Sequence, residues 1–344
     1  MKNKKEPGGS LRTKELTNWI MSCAQLAGIL EVSGWPKPGN VHRTKDHPDT
    51  RYEHFLVGSV VLSSSVEASA LKGVMVGRGR LTIQGISIGK HVKVAVSNIA
   101  HAHRGGNTHL GICLFFIPLA VAAGKTYVEA GSISDDRLRR NVEEVMRSTT
   151  PRDAVNVYEA IAMVSSPREL GKVSGDRSPD IYDKKAIRKI LQDRVSLFDV
   201  MSDSSSYDTI ARELVTGMGV SFEIGYRELV ETLNRTGDVN TATVHTFLRI
   251  LSMVPDTFIA RKVGLTKASD VREAVEIGIG ETQWISETAR RILDLGGLTT
   301  EVGRKSLWEF DQKLQSLGKS YSPGTTADLT AASLFIALLC GLIF

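Results

Sequence analysis

Hydrophobic positions recur at spacings of three and four along almost the whole chain, the pattern of helices with one face turned to a core. It predicts helices over 13–32, 54–73, 89–102, 135–147, 151–164, 184–193, 207–219 and 221–234, and then over 241–253, 270–277, 281–295, 302–318 and 326–344. Residues 109–123 are apolar nearly all round, which predicts a buried central helix, kinked at Pro118 and stopped by Gly124 with Lys125 beside the last carbonyls. Only 80–88 alternates like a strand. With no strand–helix alternation, the pattern specifies an all-α fold, one multi-helix domain over 13–344. Ahead of it, a basic, Pro/Gly-containing tail over 1–12 is expected to be disordered. The polar stretch 171–183 reads as a surface loop.

Composition narrows the picture little. Of 344 residues, 42% are hydrophobic and 24% charged, a globular mix that excludes a disordered or disulfide-stapled chain. A net charge of +5 suits anionic ligands but, without a clustered patch, gives no reason to expect nucleic acid. Cys23, Cys113 and Cys340 have neither zinc nor redox spacing, so they read as core residues of a cytoplasmic protein. No apolar stretch follows the basic start. The apolar run 330–344 is 15 residues, short of the roughly 20 that span a bilayer, so a buried helix and no membrane partner is expected. A monomer or a homodimer fits equally.

Five segments interrupt the helical pattern with polar groups that packing does not require. Pro36-Lys37-Pro38-Gly39-Asn40-Val41-His42-Arg43 is stiffened by two prolines, carries two cations, and has a glycine where backbone can approach a ligand. Gly105-Gly106-Asn107-Thr108-His109 leads into the apolar helix, so its free N–H groups and the helix dipole favour an anion. Thr149-Thr150-Pro151-Arg152-Asp153 has capping-box spacing, which alone accounts for Asp153. Pro255-Asp256-Thr257 precedes Arg261 and Lys262. Ser322-Pro323-Gly324-Thr325-Thr326-Ala327-Asp328 again has capping spacing. None is a Walker loop, a dinucleotide fingerprint, a zinc-protease motif or a nucleophile elbow.

In this order the segments resemble the triphosphoribosyl-dephospho-coenzyme A synthase family. The matching positions are Glu31-Val32, Pro36 to Gly39, Gly106 to His109 with Gly111, Asp256-Thr257 with Arg261 and Gly264, Ser322 to Gly324, and Ala327-Asp328-Leu329. The resemblance covers about residues 20 to 340. It implies an all-helical enzyme that moves the triphosphoribosyl part of ATP to a ribose hydroxyl of dephospho-coenzyme A and releases adenine. The chain departs from the family at Asn40, His42, Leu110, Thr325-Thr326 and 153–159, which leaves the acceptor open. A regulatory nucleotide-binding protein, or a transferase with another phosphorylated donor, is the alternative.

Glycosidic cleavage of a nucleotide needs cations for the phosphates, negative charge beside an oxocarbenium-like ribose, and groups that move protons. The resemblance suggests Lys37, Gly39, Gly106, Asn107, Thr108 and Arg261 for the nucleotide, and Asp256 and Asp328 as base or metal ligands. Asp153 and Glu31 stand behind these as ligands for Mg²⁺, and His109 is the candidate acid or phosphate donor. The expected small molecules are ATP as substrate, Mg²⁺, and dephospho-CoA or a related acceptor.

Overall fold

A computed structural model describes residues 11–173 and 178–344, so residues 1–10 of the tail predicted over 1–12 and part of the 171–183 loop lie outside the described residues. The described residues are predominantly helical, with no strand and only isolated bridges such as His42–Lys45 and His47–Thr50. The first seven helices are α1 (Thr13–Ser33), α2 (Tyr52–Val61), α3 (Ser63–Gly77), α4 (Ile88–Ala102), α5 (Leu110–Ala130), α6 (Asp135–Arg147) and α7 (Pro151–Val164). Four short ones follow, α8 (Pro167–Leu170), α9 (Ala186–Gln192), α10 (Leu197–Ser204) and α11 (Thr209–Val215). A π-helical stretch, Val220–Tyr226, then leads into α12 (Arg227–Thr236). The last five are α13 (Val239–Met253), α14 (Thr257–Gly264), α15 (Val271–Asp294), α16 (Glu301–Leu317) and α17 (Gly324–Leu339).

The most apolar helices hold the centre. Helix α5 is buried from Gly111 to Thr126, and α17 from Leu329 to Leu339. Phe116 of one meets Phe335 of the other with ring centroids 4.7 Å apart. A second apolar cluster joins α13, α15 and α16 through Phe247, Ile285 and Phe310. Helix α5 is long and apolar enough to cross a bilayer, yet 89% of its most apolar window is buried inside the protein.

The predicted elements need four corrections, two of them with a tertiary cause. Gly124 does not end α5, which runs on to Gly131; a Cβ at Gly124 would stand 2.3 Å from the Ala70 carbonyl oxygen of α3. Gly278 likewise lies inside one continuous α15, where a Cβ would meet the Ala260 carbonyl oxygen at 1.9 Å. Both glycines buy close helix contact rather than a stop. The strand-like run over 80–88 is a 3-10 turn, Ile83–Ile86, because Ser87 takes a left-handed conformation and starts α4 at once. The single helix expected over 54–73 is broken at Leu62 into α2 and α3.

Candidate functional site

The first part of the segment between α1 and α2, from Pro36 to His42, is buried rather than solvated. Lys37 is fully buried, and its ammonium donates to the Glu31 carboxylate and, at 3.0 Å, to the Glu31 carbonyl oxygen. Burial pushes the Lys37 ammonium down and the Glu31 carboxyl up, and each charge opposes the other's shift. Gly39 has φ +69, and a Cβ there would lie 2.7 Å from Leu314 Cβ of α16. Its N–H donates to Asp311 Oδ1 at 2.9 Å, and His42 Nε2 meets Asp311 Oδ2 at 3.2 Å. Asn40 Nδ2 donates to the Pro323 carbonyl at 3.1 Å, tying this segment to the Ser322-Pro323-Gly324 turn. The expectation that Lys37 and Gly39 face a nucleotide is therefore corrected: one neutralises a buried carboxylate, and the other lets the backbone seat against α16.

The two aspartates of the later motifs differ sharply. Asp256 caps α14 through Oδ1, which accepts from the Phe258 and Ile259 N–H groups at 3.0 Å each. Its Oδ2 accepts from the N–H and hydroxyl of Thr326, both at 2.8 Å, so one carboxylate fastens α14 to α17. Asp328 lies against the first turn of α5, beside the Ile112 amide. A Cβ at Gly111 would fall 2.0 Å from Asp328 Oδ2, so only glycine leaves room for that carboxyl. Enclosure by protein, then the charges of Glu31 and Asp256, hold the Asp328 carboxyl well above the usual carboxylate range. Gly111→Ala is expected to displace Asp328 and to lower turnover at least tenfold while the protein stays folded, since the clash is with a side chain; activity close to wild type would show that Asp328 need not sit there.

Glu31 and Asp328 face a cavity of about 420 Å³, a size typical of small-molecule sites. Gly106, Asn107 and Thr108 line it, as does Arg261, whose Nη1 lies 3.4 Å from Asp208 Oδ2. Tyr158, Tyr182 and Tyr207 line it too, with aliphatic side chains from α7 and α10. Of the residues singled out in the sequence, Glu31, Gly106, Asn107, Thr108, Arg261 and Asp328 share this cavity, while Lys37 and Asp256 stand directly behind it as supports.

Two candidates lie elsewhere. His109 is buried under α2, with Nε2 3.1 Å from Ser59 Oγ and Nδ1 2.8 Å from Thr108 Oγ1. Burial pulls its imidazole down to about 3, so it is neutral and corrected to a structural hydrogen-bonder. Asp153 caps α7 through Thr150 and accepts the Gly89 N–H at 2.8 Å, which joins α4 to α7. It lines no part of the cavity and is corrected to a cap. Among the described residues no three His, Cys, Asp or Glu side chains are grouped to hold an ion; Glu31 pairs with Lys37, and Asp256 accepts from four donors.

The sequence reading missed His47, Asp208, Lys262 and Lys319, all of which line the cavity. Phe258, Arg261 and Lys262 have the i, i+3, i+4 spacing of one helix face, a signal present in the sequence. Asp208 reads locally as no more than the cap of α11, whose Ala211 N–H it accepts at 3.0 Å.

Comparison with known proteins gives the family to which the chain belongs. A family model for ATP:dephospho-CoA triphosphoribosyl transferase matches residues 17–342. The 2-(5''-triphosphoribosyl)-3'-dephosphocoenzyme-A synthase of Klebsiella pneumoniae is 24% identical over 92% of this chain and 90% of its own length. A Lactiplantibacillus plantarum protein assigned the same activity is 24% identical over 94% of this chain and 97% of its own. A crystal structure from Archaeoglobus fulgidus, assigned as a triphosphoribosyl-dephospho-CoA synthase, superposes with a TM-score of 0.52 at 26% identity, covering 81% of this chain and 98% of that one. With a match spanning nearly its whole length, the chain belongs to the ATP:dephospho-CoA triphosphoribosyl transferase family.

Proposed function

We propose that the cavity carries out transfer of the triphosphoribosyl group of ATP to a hydroxyl of dephospho-CoA, with release of adenine. The bond from ribose C1' to the adenine nitrogen breaks, a bond from C1' to the acceptor oxygen forms, the hydroxyl loses its proton and adenine gains one. Asp328 is the residue for the hydroxyl proton: its raised affinity for a proton makes it a stronger base than an ordinary carboxylate. Glu31, held in place by Lys37, lines the same cavity and raises the proton affinity of Asp328. Arg261 and the Gly106–Thr108 backbone face the same space and suit the nucleotide's phosphates. Mg²⁺, where it takes part, would come with those phosphates rather than to a cage built by the protein alone.

The observation that carries this reading is the enclosed Asp328–Glu31 pair on the wall of a cavity that also holds the glycine-led segment. What favours transfer over nucleotide binding alone is a buried carboxyl of raised proton affinity beside that segment, a group suited to moving a proton. The test is chromatographic detection of adenine from ATP. Release that depends on dephospho-CoA, with an adduct of the combined mass, is expected. ATP that stays intact with every acceptor tried would overturn the reading.

A further inference from the structure

The same cavity is lined by a second cluster. Lys319, on the turn Lys319–Tyr321, grips both oxygens of Asp49 at 2.8 Å and lies 3.3 Å from Thr50 Oγ1. Lys262 reaches the Lys319 carbonyl at 3.3 Å and sits 3.7 Å over the Phe258 ring. Among the described residues it has no carboxylate within ion-pair range. His47 is only 8% exposed, held by backbone bonds to Thr50 of 3.0 and 3.2 Å, and its Nε2 is buried without a hydrogen-bond partner among the described residues. All three side chains line the cavity. Thr50 Oγ1 also donates to the Gly105 carbonyl at 3.0 Å, which sets the cluster next to the Gly106–Thr108 segment.

Gathering these groups costs free energy. Burial and the Lys319 charge pull the Lys262 ammonium down to about 8, and the same two causes lower the His47 imidazole. Asp49, largely exposed, is the counter-charge at hand, and it is spent on Lys319. A buried imidazole nitrogen with no partner, in the tautomer that protonates Nε2, and a lysine with no carboxylate are both relieved by an anion with several oxygens.

We infer that His47, Lys262 and Lys319 form a binding site for a polyphosphate chain in this cavity. Two substrates of the proposed reaction carry such a chain, the triphosphate of ATP and the diphosphate of dephospho-CoA. The inference takes its choice of ligands from the proposed transfer, but the anion site itself does not depend on it.

Inorganic tripolyphosphate is the probe, titrated calorimetrically into the full-length protein. Wild type is expected to bind it, and Lys262→Met and His47→Gln each to bind roughly tenfold or more weakly, with Lys262→Arg largely retaining affinity. Steady-state kinetics of the same variants separates the two sources: a rise in KM confined to ATP places the triphosphate here, and one confined to dephospho-CoA places the diphosphate here. No binding to wild type at millimolar tripolyphosphate, or affinities within twofold of wild type in both weakened variants, would overturn the site. Cluster-dependent tripolyphosphate binding by a protein that releases no adenine would leave the site standing and sink the transfer reading instead.

Discussion

Replacing Asp328 with asparagine is expected to leave the protein folded and to lower adenine release by roughly 10²–10⁴-fold, the usual worth of a positioned base. Asparagine keeps the shape that Gly111 accommodates but cannot accept the hydroxyl proton. The stability side of the experiment has a definite sign. The folded protein holds the Asp328 proton more tightly than the unfolded chain does, because burial and the neighbouring Glu31 and Asp256 disfavour the ionised form. Wild type should therefore lose stability as pH rises from the ordinary aspartate range through the raised folded value, and the asparagine variant should lack this component. Thermal melts across that range, run beside the adenine assay, measure both. A variant that releases adenine within a few-fold of wild type would remove Asp328 from the chemistry, and one that melts lower throughout would make it a structural residue.

The second large effect is on stability. Lys37→Met is expected to cost about 3–5 kcal/mol, because it leaves the Glu31 carboxylate buried and uncompensated. The double variant Glu31→Gln, Lys37→Met should recover much of that loss, since a neutral pair demands no ion partner. Denaturant unfolding of the two single variants and the double supplies the coupling energy. If Lys37→Met unfolds at the wild-type midpoint but binds ATP poorly, Lys37 is a ligand contact and the buried pair is incidental.

This outcome differs from what the local sequence suggests. A lysine between two prolines looks like an exposed loop cation, and nothing within the loop reveals that Glu31, six residues earlier, turns inward to meet it. The motif order, in contrast, was informative: Glu31, Gly106 to Thr108, Arg261 and Asp328 come from four separate segments and line one cavity. The helices themselves were legible from periodicity, because a buried stripe leaves its spacing in the sequence. Gly124 and Gly278 misled because a glycine that ends a helix and one that lets another helix approach look alike until the neighbour is known. His47 and Lys319 escaped notice for a related reason. Their meaning lies in being together, and more than 270 residues separate them in the chain.

The stitches around Gly39 and Asn40 bear on how the protein is made. Gly39 bonds to Asp311, Asn40 to Pro323, and Asp49 to Lys319, spans of 272, 283 and 270 residues. Such contacts close very long loops and raise the contact order, which slows folding. They also mean that the first motif loop emerges from the ribosome long before its anchors exist. A nascent chain stopped before α16 has neither Asp311 nor Asp328, so it carries the Gly106–Thr108 segment but no assembled cavity. A product truncated before α16 is therefore expected to release no adenine from ATP, an outcome the adenine assay checks.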